Sequence, residues 1–391
     1  MKPETRLVHL GREPQRFEGL VNVPPCRTST YLHDSVAAYQ AAAADKHGRL
    51  YYGRFGSQTS LALASACAEL DEAAGAVLFP SGLAAITRVL GCLLRPGDHL
   101  LMVDTVYGPV RAFCEQELTR VGVRTSWYSP DDLVALEALV RPETRVVYAE
   151  SPGSLTFEVQ DLRALADVAR RHGLVSVVDN TWATPWFCRP LALGMDISLM
   201  SGSKYLVGHS DALLGVASST EPYLAILQQA AAHYGNAVSA DDCYLALRGL
   251  RTLGIRLARH QASALRVAGW LAARPEIAEV FYPALPGDAY HAIWQRDFSG
   301  ASGLLGVAFH SDVTERQRHA FVDGLALFGI GVSWGGFESL ALPGQAPRRL
   351  PDMQPRCRLP LVRLHIGLED PGDLIADLAC SLANHIPMPE R

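Results

Sequence analysis

The chain has 391 residues, of which 49% are hydrophobic and 19% charged, and a net charge of −5. That length supports one large and one smaller domain, and an acidic balance with no cluster of Arg and Lys argues against a nucleic-acid partner. No apolar run reaches membrane-spanning length, and the opening MKPETRLVHLGREPQRFEG lacks an apolar signal core, so a cytoplasmic protein without membrane contact is expected.

Residues 1–55 read as an irregular, Pro-containing arm with one Ala-rich helix, VAAYQAAAADKHG, ended by Gly48. From about residue 60 strands and helices alternate. Gly75–Phe79 forms a short apolar strand, followed by Pro80-Ser81-Gly82 and the helical run LAAITRVLGCLL. Asp98–Val103 is the next strand. RVVYAES (145–151) leads to Asp161, which caps the helix LRALADVARRH closed by Gly173, and LVSVVDNT and DISLMSGS supply two further strands. Short apolar strands separated by helices imply an α/β fold with a mostly parallel sheet covered on both faces, and its ligand beyond the carboxyl ends of the strands. Each of these ends carries a polar cluster: PSG at 80–82, TVYG at 105–108, ESPGS at 150–154, DNT at 179–181 and SGSK at 201–204. Past residue 250 the pattern changes to one long amphipathic helix, LRGLRTLGIRLARHQASALRVAGWLAAR, and strands such as GLLGVAFH and PLVRLHIGL. The expected division is therefore an arm over 1–55, a large domain over 56–250 and a smaller α+β domain over 251–391.

The eight cysteines form no C-x-x-C and none sits beside His at zinc spacing, so reduced core residues and no structural metal are expected. Basic residues are used unevenly. Among 35 Lys and Arg, only Lys2, Lys46 and Lys204 are lysines. An arginine pairs and neutralises but does not shed its proton near neutral pH, whereas a lysine with a depressed pKa becomes a nucleophilic amine. Lys204 is either a salt-bridging surface residue or such an amine, and its neighbours bear on the choice. Ser81-Gly82-Leu83 opens a helix directly after a strand, which is either a plain tight turn or a site where backbone N–H groups meet an anion. Ser201 and Ser203 can donate to the same anion. Asp179 ends an apolar strand, where a carboxylate caps a turn or faces a cation. Tyr107, at another strand end, packs or lies against a planar ring. A phosphate, a cationic ring nitrogen, a flat ring and a reactive aldehyde are together the needs of pyridoxal phosphate.

SGSKYLVGHSD (201–211) resembles the cofactor-lysine signature of the cysteine/methionine-metabolism family of fold-type-I pyridoxal-phosphate enzymes. YYGRFGSQTS (51–60), LFPSGLAAI (78–86), ESPGSLTFEV (150–159), VVDNTWA (177–183), SWGGFESL (333–340) and VRLHIGLED (362–370) follow in the family's order over nearly the whole chain. The resemblance implies the fold-type-I architecture, with a large sheet domain and a smaller C-terminal α+β domain. It implies Lys204 as the lysine that carries the cofactor and moves protons, Asp179 at the pyridine nitrogen and Tyr107 stacked on the ring; protonation of the leaving sulfur is assigned to Lys204, with Tyr107 the weaker catalytic candidate. Ser81, Gly82, Leu83, Ser201 and Ser203 would surround the phosphate, and Tyr52 and Arg54 would reach the phosphate of a neighbouring subunit in a homo-oligomer, a dimer of dimers. Arg363 would clamp the substrate α-carboxylate, a task suited to its bidentate fork, with Ser333 and Trp334 nearby.

The sequence departs from the family where Asn-Pro is common, at Ser57-Gln58 and again at Ser154-Leu155, and Ser154 is accordingly left out of the site. Leu83 replaces the usual Met. Val332 stands where relatives acting at the γ carbon commonly carry Glu, and Trp334 matches the β-lyase branch. The implied activity is α,β-elimination of L-cystathionine to homocysteine, pyruvate and ammonia. The rivals are γ-elimination, γ-replacement or cysteine desulfhydration on the same scaffold, and a non-catalytic cofactor-binding regulator. A nicotinamide dehydrogenase is disfavoured, since no G-x-G-x-x-G follows the early strands.

Overall fold

The computed structural model describes residues 1–345, 348–350 and 358–388. Seven strands make the larger sheet: β1 (Gly75–Phe79), β2 (His99–Val103), β3 (Arg124–Tyr128), β4 (Thr144–Glu150), β5 (Val175–Asp179), β6 (Ile197–Ser201) and β7 (Gly215–Ser219). Their spatial order is β1-β7-β6-β5-β4-β2-β3. The pairs from β6 to β3 are parallel, while β7 runs antiparallel to both of its neighbours. Strands β2, β4, β5 and β6 are apolar on both faces and almost wholly buried, as a parallel sheet flanked by helices requires. The carboxyl ends of β1, β2, β4, β5 and β6 thus share one edge, and the polar clusters expected at those ends line it.

The helix after β1 spans Gly82–Leu93, and Ser81 caps it by accepting from the Ala84 amide at 3.1 Å. Asp161 caps Leu162–His172 through Ala164 N–H at 3.1 Å, and Gly173 closes that helix with φ +64°. The smaller sheet is antiparallel throughout, in the order β10-β11-β9-β8, from β8 (Ile277–Phe281), β9 (Leu304–Phe309), β10 (Leu340–Gly344) and β11 (Leu361–His365). Trp182, just past β5, donates its indole N–H to Leu304 O at 2.9 Å and so ties the two sheets together. Seven of the eight cysteines are free thiols, four of them buried; Cys357 lies outside the described residues.

Two expectations need correction. The single long helix read over 247–274 is two helices, Ala240–Leu250 and Leu253–Ala272. At the break the Gly249 carbonyl accepts from the Thr252 amide at 3.1 Å, from the Arg256 guanidinium at 2.8 Å and from the Thr252 hydroxyl at 3.3 Å. A Cβ at Gly249 would lie 2.4 Å from the carbonyl oxygens of Leu206 and Val207, so the helix end is pressed against the turn that follows Lys204. Strand β3 (RTSWY) was not anticipated, and neither was strand β7 (GVASS). Its small residues carry little hydrophobic signal, and its antiparallel insertion between β1 and β6 is a choice of sheet pairing, not of local propensity. The Ala-rich helix of the arm spans Val36–Ala44 and ends before Gly48.

Candidate functional site

Lys204 lies in the turn after β6. Its amide donates to Ser201 O at 3.2 Å and its carbonyl accepts from Gly208 N at 2.8 Å. The side chain points into the edge where the strand ends meet. Nζ donates to Ser333 Oγ at 2.8 Å and stands 5.3 Å from the centre of the Trp334 ring. Burial pulls the ammonium down to about 8, the Arg363 cation pulls in the same direction, and Asp179 opposes both. The only lysine of the chain at a strand end is therefore the one poised to lose its proton.

Ser333 and Trp334 come from the loop that precedes β10, and Arg363, His365 and Gly335 hold that loop in place. Arg363, in the middle of β11, donates through Nη2 to the carbonyls of Val332 and Ser333, each at 2.9 Å, and to Gly331 O at 3.2 Å. His365, two residues on, accepts from Gly335 N at 3.0 Å through Nε2, which leaves Nδ1–H to donate to Glu338 O at 3.0 Å. Burial keeps this imidazole neutral. Gly335 adopts φ +87°, and a Cβ there would come within 3.0 Å of Lys204 Cα. A side chain at 335 would push the loop off the lysine. Arg363 is itself half-buried, and its Nε has no partner among the described residues.

Asp179 closes β5. Its Oδ1 accepts from the Thr181 amide at 2.9 Å and from the Thr181 hydroxyl at 2.5 Å, and Oδ2 has no partner among the described residues. Burial raises this carboxyl, the Thr181 bonds offset part of that rise, and the Lys204 cation lowers it further. The Thr181 hydroxyl also accepts from Ser201 N at 2.9 Å, joining the end of β5 to the end of β6. Thr181 is one functional neighbour missed from the sequence; its place in the DNT cluster was the available signal. Tyr107 begins the helix Gly108–Phe113, and its ring is 44% exposed.

The phosphate candidates converge on the N-terminus of Gly82–Leu93. The amides of Gly82 and Leu83 donate to no protein group among the described residues. A Cβ at Gly82 would strike Ser201 Cβ at 2.6 Å, so only glycine lets the two strand ends close up. Gly82 and Ser201 thus stand side by side. The Ser203 hydroxyl, by contrast, is engaged with Leu214, accepting from its amide at 2.8 Å and donating to its carbonyl at 3.3 Å. Tyr52 and Arg54 are not brought to this cluster within the chain. Arg54 donates to Ala232 O at 2.7 Å, stacks on Phe55 and lines a cavity of about 100 Å³ with His47, Gln228 and Asn236. Tyr52 is 41% exposed and bridges Thr30 in the arm.

A family model for the Cys/Met metabolism PLP-dependent enzymes matches residues 4–383. The chain belongs to that family. It is 45% identical over 96% of its length to a putative cystathionine beta-lyase of Rhizobium johnstonii, of which 94% is covered. It is 41% identical to the Escherichia coli cystathionine beta-lyase MetC, with 98% of each chain covered. In three dimensions it matches a cystathionine gamma-lyase from Lactobacillus plantarum complexed with L-serine, at TM-score 0.90 and 29% identity, over 98% of this chain and 99% of that one. The architecture is accordingly that of fold-type-I enzymes, and the family's cofactor is pyridoxal phosphate.

The residues present fit that group. A half-buried amine near neutrality suits a covalent link to an aldehyde, and the free amides of a helix N-terminus suit a phosphate. Asp179 keeps one oxygen available for a protonated ring nitrogen, which would also offset the cost of its burial. Among the described residues no helix is long and apolar enough to cross a membrane.

Proposed function

We propose that this enzyme is a carbon–sulfur lyase that cleaves the Cβ–S bond of L-cystathionine, giving homocysteine, pyruvate and ammonia. The observation that carries the reading is the grouping of Lys204 Nζ, Ser333, Trp334 and Arg363 at one edge, with a non-acidic residue, Val332, standing 80% exposed beside them. Bound pyridoxal phosphate supplies the electron sink that makes the Cα–H bond acidic. Lys204 would hold the cofactor through its amine, and with substrate bound its free Nζ would take the Cα proton. The Cβ–S bond then breaks with its electron pair on sulfur, Lys204 returns the proton to the leaving thiolate, and hydrolysis of the remaining enamine gives pyruvate and ammonia. Arg363 grips the α-carboxylate, and Ser333 steadies both the lysine and the substrate. Asp179 would meet the ring nitrogen, Tyr107 would cover the ring face, and Ser81, Gly82, Leu83 and Ser201 would surround the phosphate, with Ser203 next to them and its hydroxyl tied to Leu214.

Elimination at the γ carbon needs a second deprotonation, at Cβ, and a grip on the substrate that allows it. A carboxylate at 332 would hold an ammonium group; Val332 does not. L-Cystathionine is expected to yield homocysteine and pyruvate with little cysteine or 2-oxobutyrate, read by mass spectrometry of the products. Predominant 2-oxobutyrate would replace the β reading with γ-elimination.

The arm over residues 1–55 is proposed to complete a neighbouring subunit's site in a homo-oligomer, a dimer of dimers, with 56–250 and 251–391 as the two domains of each protomer. Leu32 and Val36 in that arm are 95% and 71% exposed, an arrangement suited to a second copy of this chain. Protomers carrying Arg54→Ala and Lys204→Ala are each expected to be inactive alone and partly active when mixed. Mixed oligomers without regained activity would show the sites are not shared.

A further inference from the structure

We infer that Glu150 is a positioning residue for Tyr107, and that Ser154 is its partner in that task. Glu150 ends β4 and lies directly opposite Asp179 in the β4–β5 ladder, so both carboxyls project from the same face of the sheet at its carboxyl edge. It is 8% exposed, and both of its oxygens are occupied. Oε2 accepts the Tyr107 amide at 2.7 Å, and Oε1 accepts the Ser154 hydroxyl at 2.5 Å. The strand is held in turn by Gln160, whose Nε2 donates to Glu150 O at 3.0 Å, and Ser154 O accepts from Arg348 at 2.9 Å.

Tyr107 has little else to place it. It is the N-cap of a six-residue helix, its side chain makes no capping bond, and its hydroxyl has no hydrogen bond among the described residues. Where its ring stands is therefore decided by its backbone, and among side chains Glu150 is what holds the Tyr107 amide. A carboxylate rigidly mounted on a central strand thus sets the height and tilt of a half-exposed aromatic ring. The two groups proposed for the cofactor plane, Tyr107 on its face and Asp179 at its nitrogen, are registered against each other through one residue. Burial and the Asp179 charge push the Glu150 carboxyl up to about 8, consistent with a group that does not bind a cation there but serves hydrogen bonds.

This rests on the seat for pyridoxal phosphate proposed above, and the test separates the two. Holoenzyme variants Glu150→Leu, Glu150→Gln and Ser154→Ala are compared by cofactor affinity and by the visible circular dichroism of the bound cofactor, which reports the asymmetry of its surroundings. Wild-type protein that binds no pyridoxal phosphate would defeat the seat itself. With the cofactor bound, Glu150→Leu is expected to lose most of the visible signal and to bind the cofactor ~10-fold more weakly, the scale of one lost buried hydrogen bond. Glu150→Gln should restore both, because its amide still accepts from Tyr107 and now donates to Ser154. Ser154→Ala should lie between. An unchanged signal in a folded Glu150→Leu protein, or equal loss in Glu150→Gln, overturns the inference. If Glu150→Leu does not fold, Ser154→Ala decides, and a wild-type signal there overturns it.

Discussion

Lys204→Arg is expected to keep the positive charge and the fold while lowering kcat on L-cystathionine by about 10⁴-fold, the upper range for loss of a positioned acid–base group. Arginine has a similar reach but does not give up its proton in the working pH range. It therefore forms no stable link to an aldehyde, and it cannot take the Cα proton. The setting of Lys204 selects against a guanidinium in other ways. Nζ makes one short contact to Ser333 and sits within 5.3 Å of the Trp334 ring, while Gly335 presses on the lysine's own backbone, which leaves little room for a planar fork. The measurement is steady-state turnover together with borohydride reduction and peptide mapping of wild-type protein, which should place the pyridoxyl group on Lys204. Label on Lys46 or Lys2, or a Lys204→Arg variant with substantial turnover, would refute the assignment.

Arg363→Ala should cost ~3 kcal/mol of transition-state binding, the scale for losing a buried charge-assisted partner, and so lower kcat/KM on the order of 100-fold. Most of the loss should lie in KM if the guanidinium grips the α-carboxylate equally before and during the reaction. Part should lie in kcat, because Nη2 also holds the carbonyls of Gly331, Val332 and Ser333, and Ser333 in turn positions Lys204. Arg363→Lys tests the distinction, since it keeps the charge and loses the fork. The same substitution has a consequence for pH. Arg363 helps hold the Lys204 ammonium down to about 8, so removing that cation raises the lysine and shrinks the neutral fraction at any pH below it. The rate at which cofactor-free protein captures pyridoxal phosphate should climb with pH to a midpoint near that of Lys204, and the midpoint should move upward in Arg363→Ala. Unchanged kcat/KM would place the carboxylate clamp elsewhere.

Much of the larger sheet was legible in the chain because its strands are local patterns. Gly75–Phe79 and the helix between Asp161 and Gly173 announce themselves by apolar runs, a capping carboxylate and a closing glycine, and the structure has them at those residues. The ends of those strands were legible for the same reason, since a polar cluster interrupts each apolar run. Other elements depend on distant partners. The 247–274 stretch keeps helical periodicity throughout, yet the helix breaks where its end is pressed against Leu206 and Val207 in the turn after Lys204. Strand β7 has no pattern of its own strong enough to reveal it, and pairing with β1 and β6 makes it a strand.

The candidate site divides in the same way. The sequence by itself singled out Lys204, Asp179, Tyr107 and Ser81, because an isolated lysine, a carboxylate closing an apolar strand and a helix opened by Ser-Gly are chemical signals carried by residue type and spacing, whereas Arg363 came only from the resemblance to the family. Their meeting is tertiary. A side chain from β11 of the smaller sheet and the loop before β10 reach Lys204 only because the fold brings the two sheets together, a contact that Trp182 makes to Leu304. Glu150 and Thr181 were overlooked although both stand in strand-end clusters, because the contacts that make them supports form only in the fold. Glu150 acts by facing Tyr107 across 43 residues of chain, and Thr181 by joining Asp179 to Ser201 across the β5–β6 boundary. Residue chemistry and short-range periodicity are written along the chain, whereas the pKa of an amine, the seat of a ring and the partner of a carboxylate depend on burial and distance, which exist only after folding.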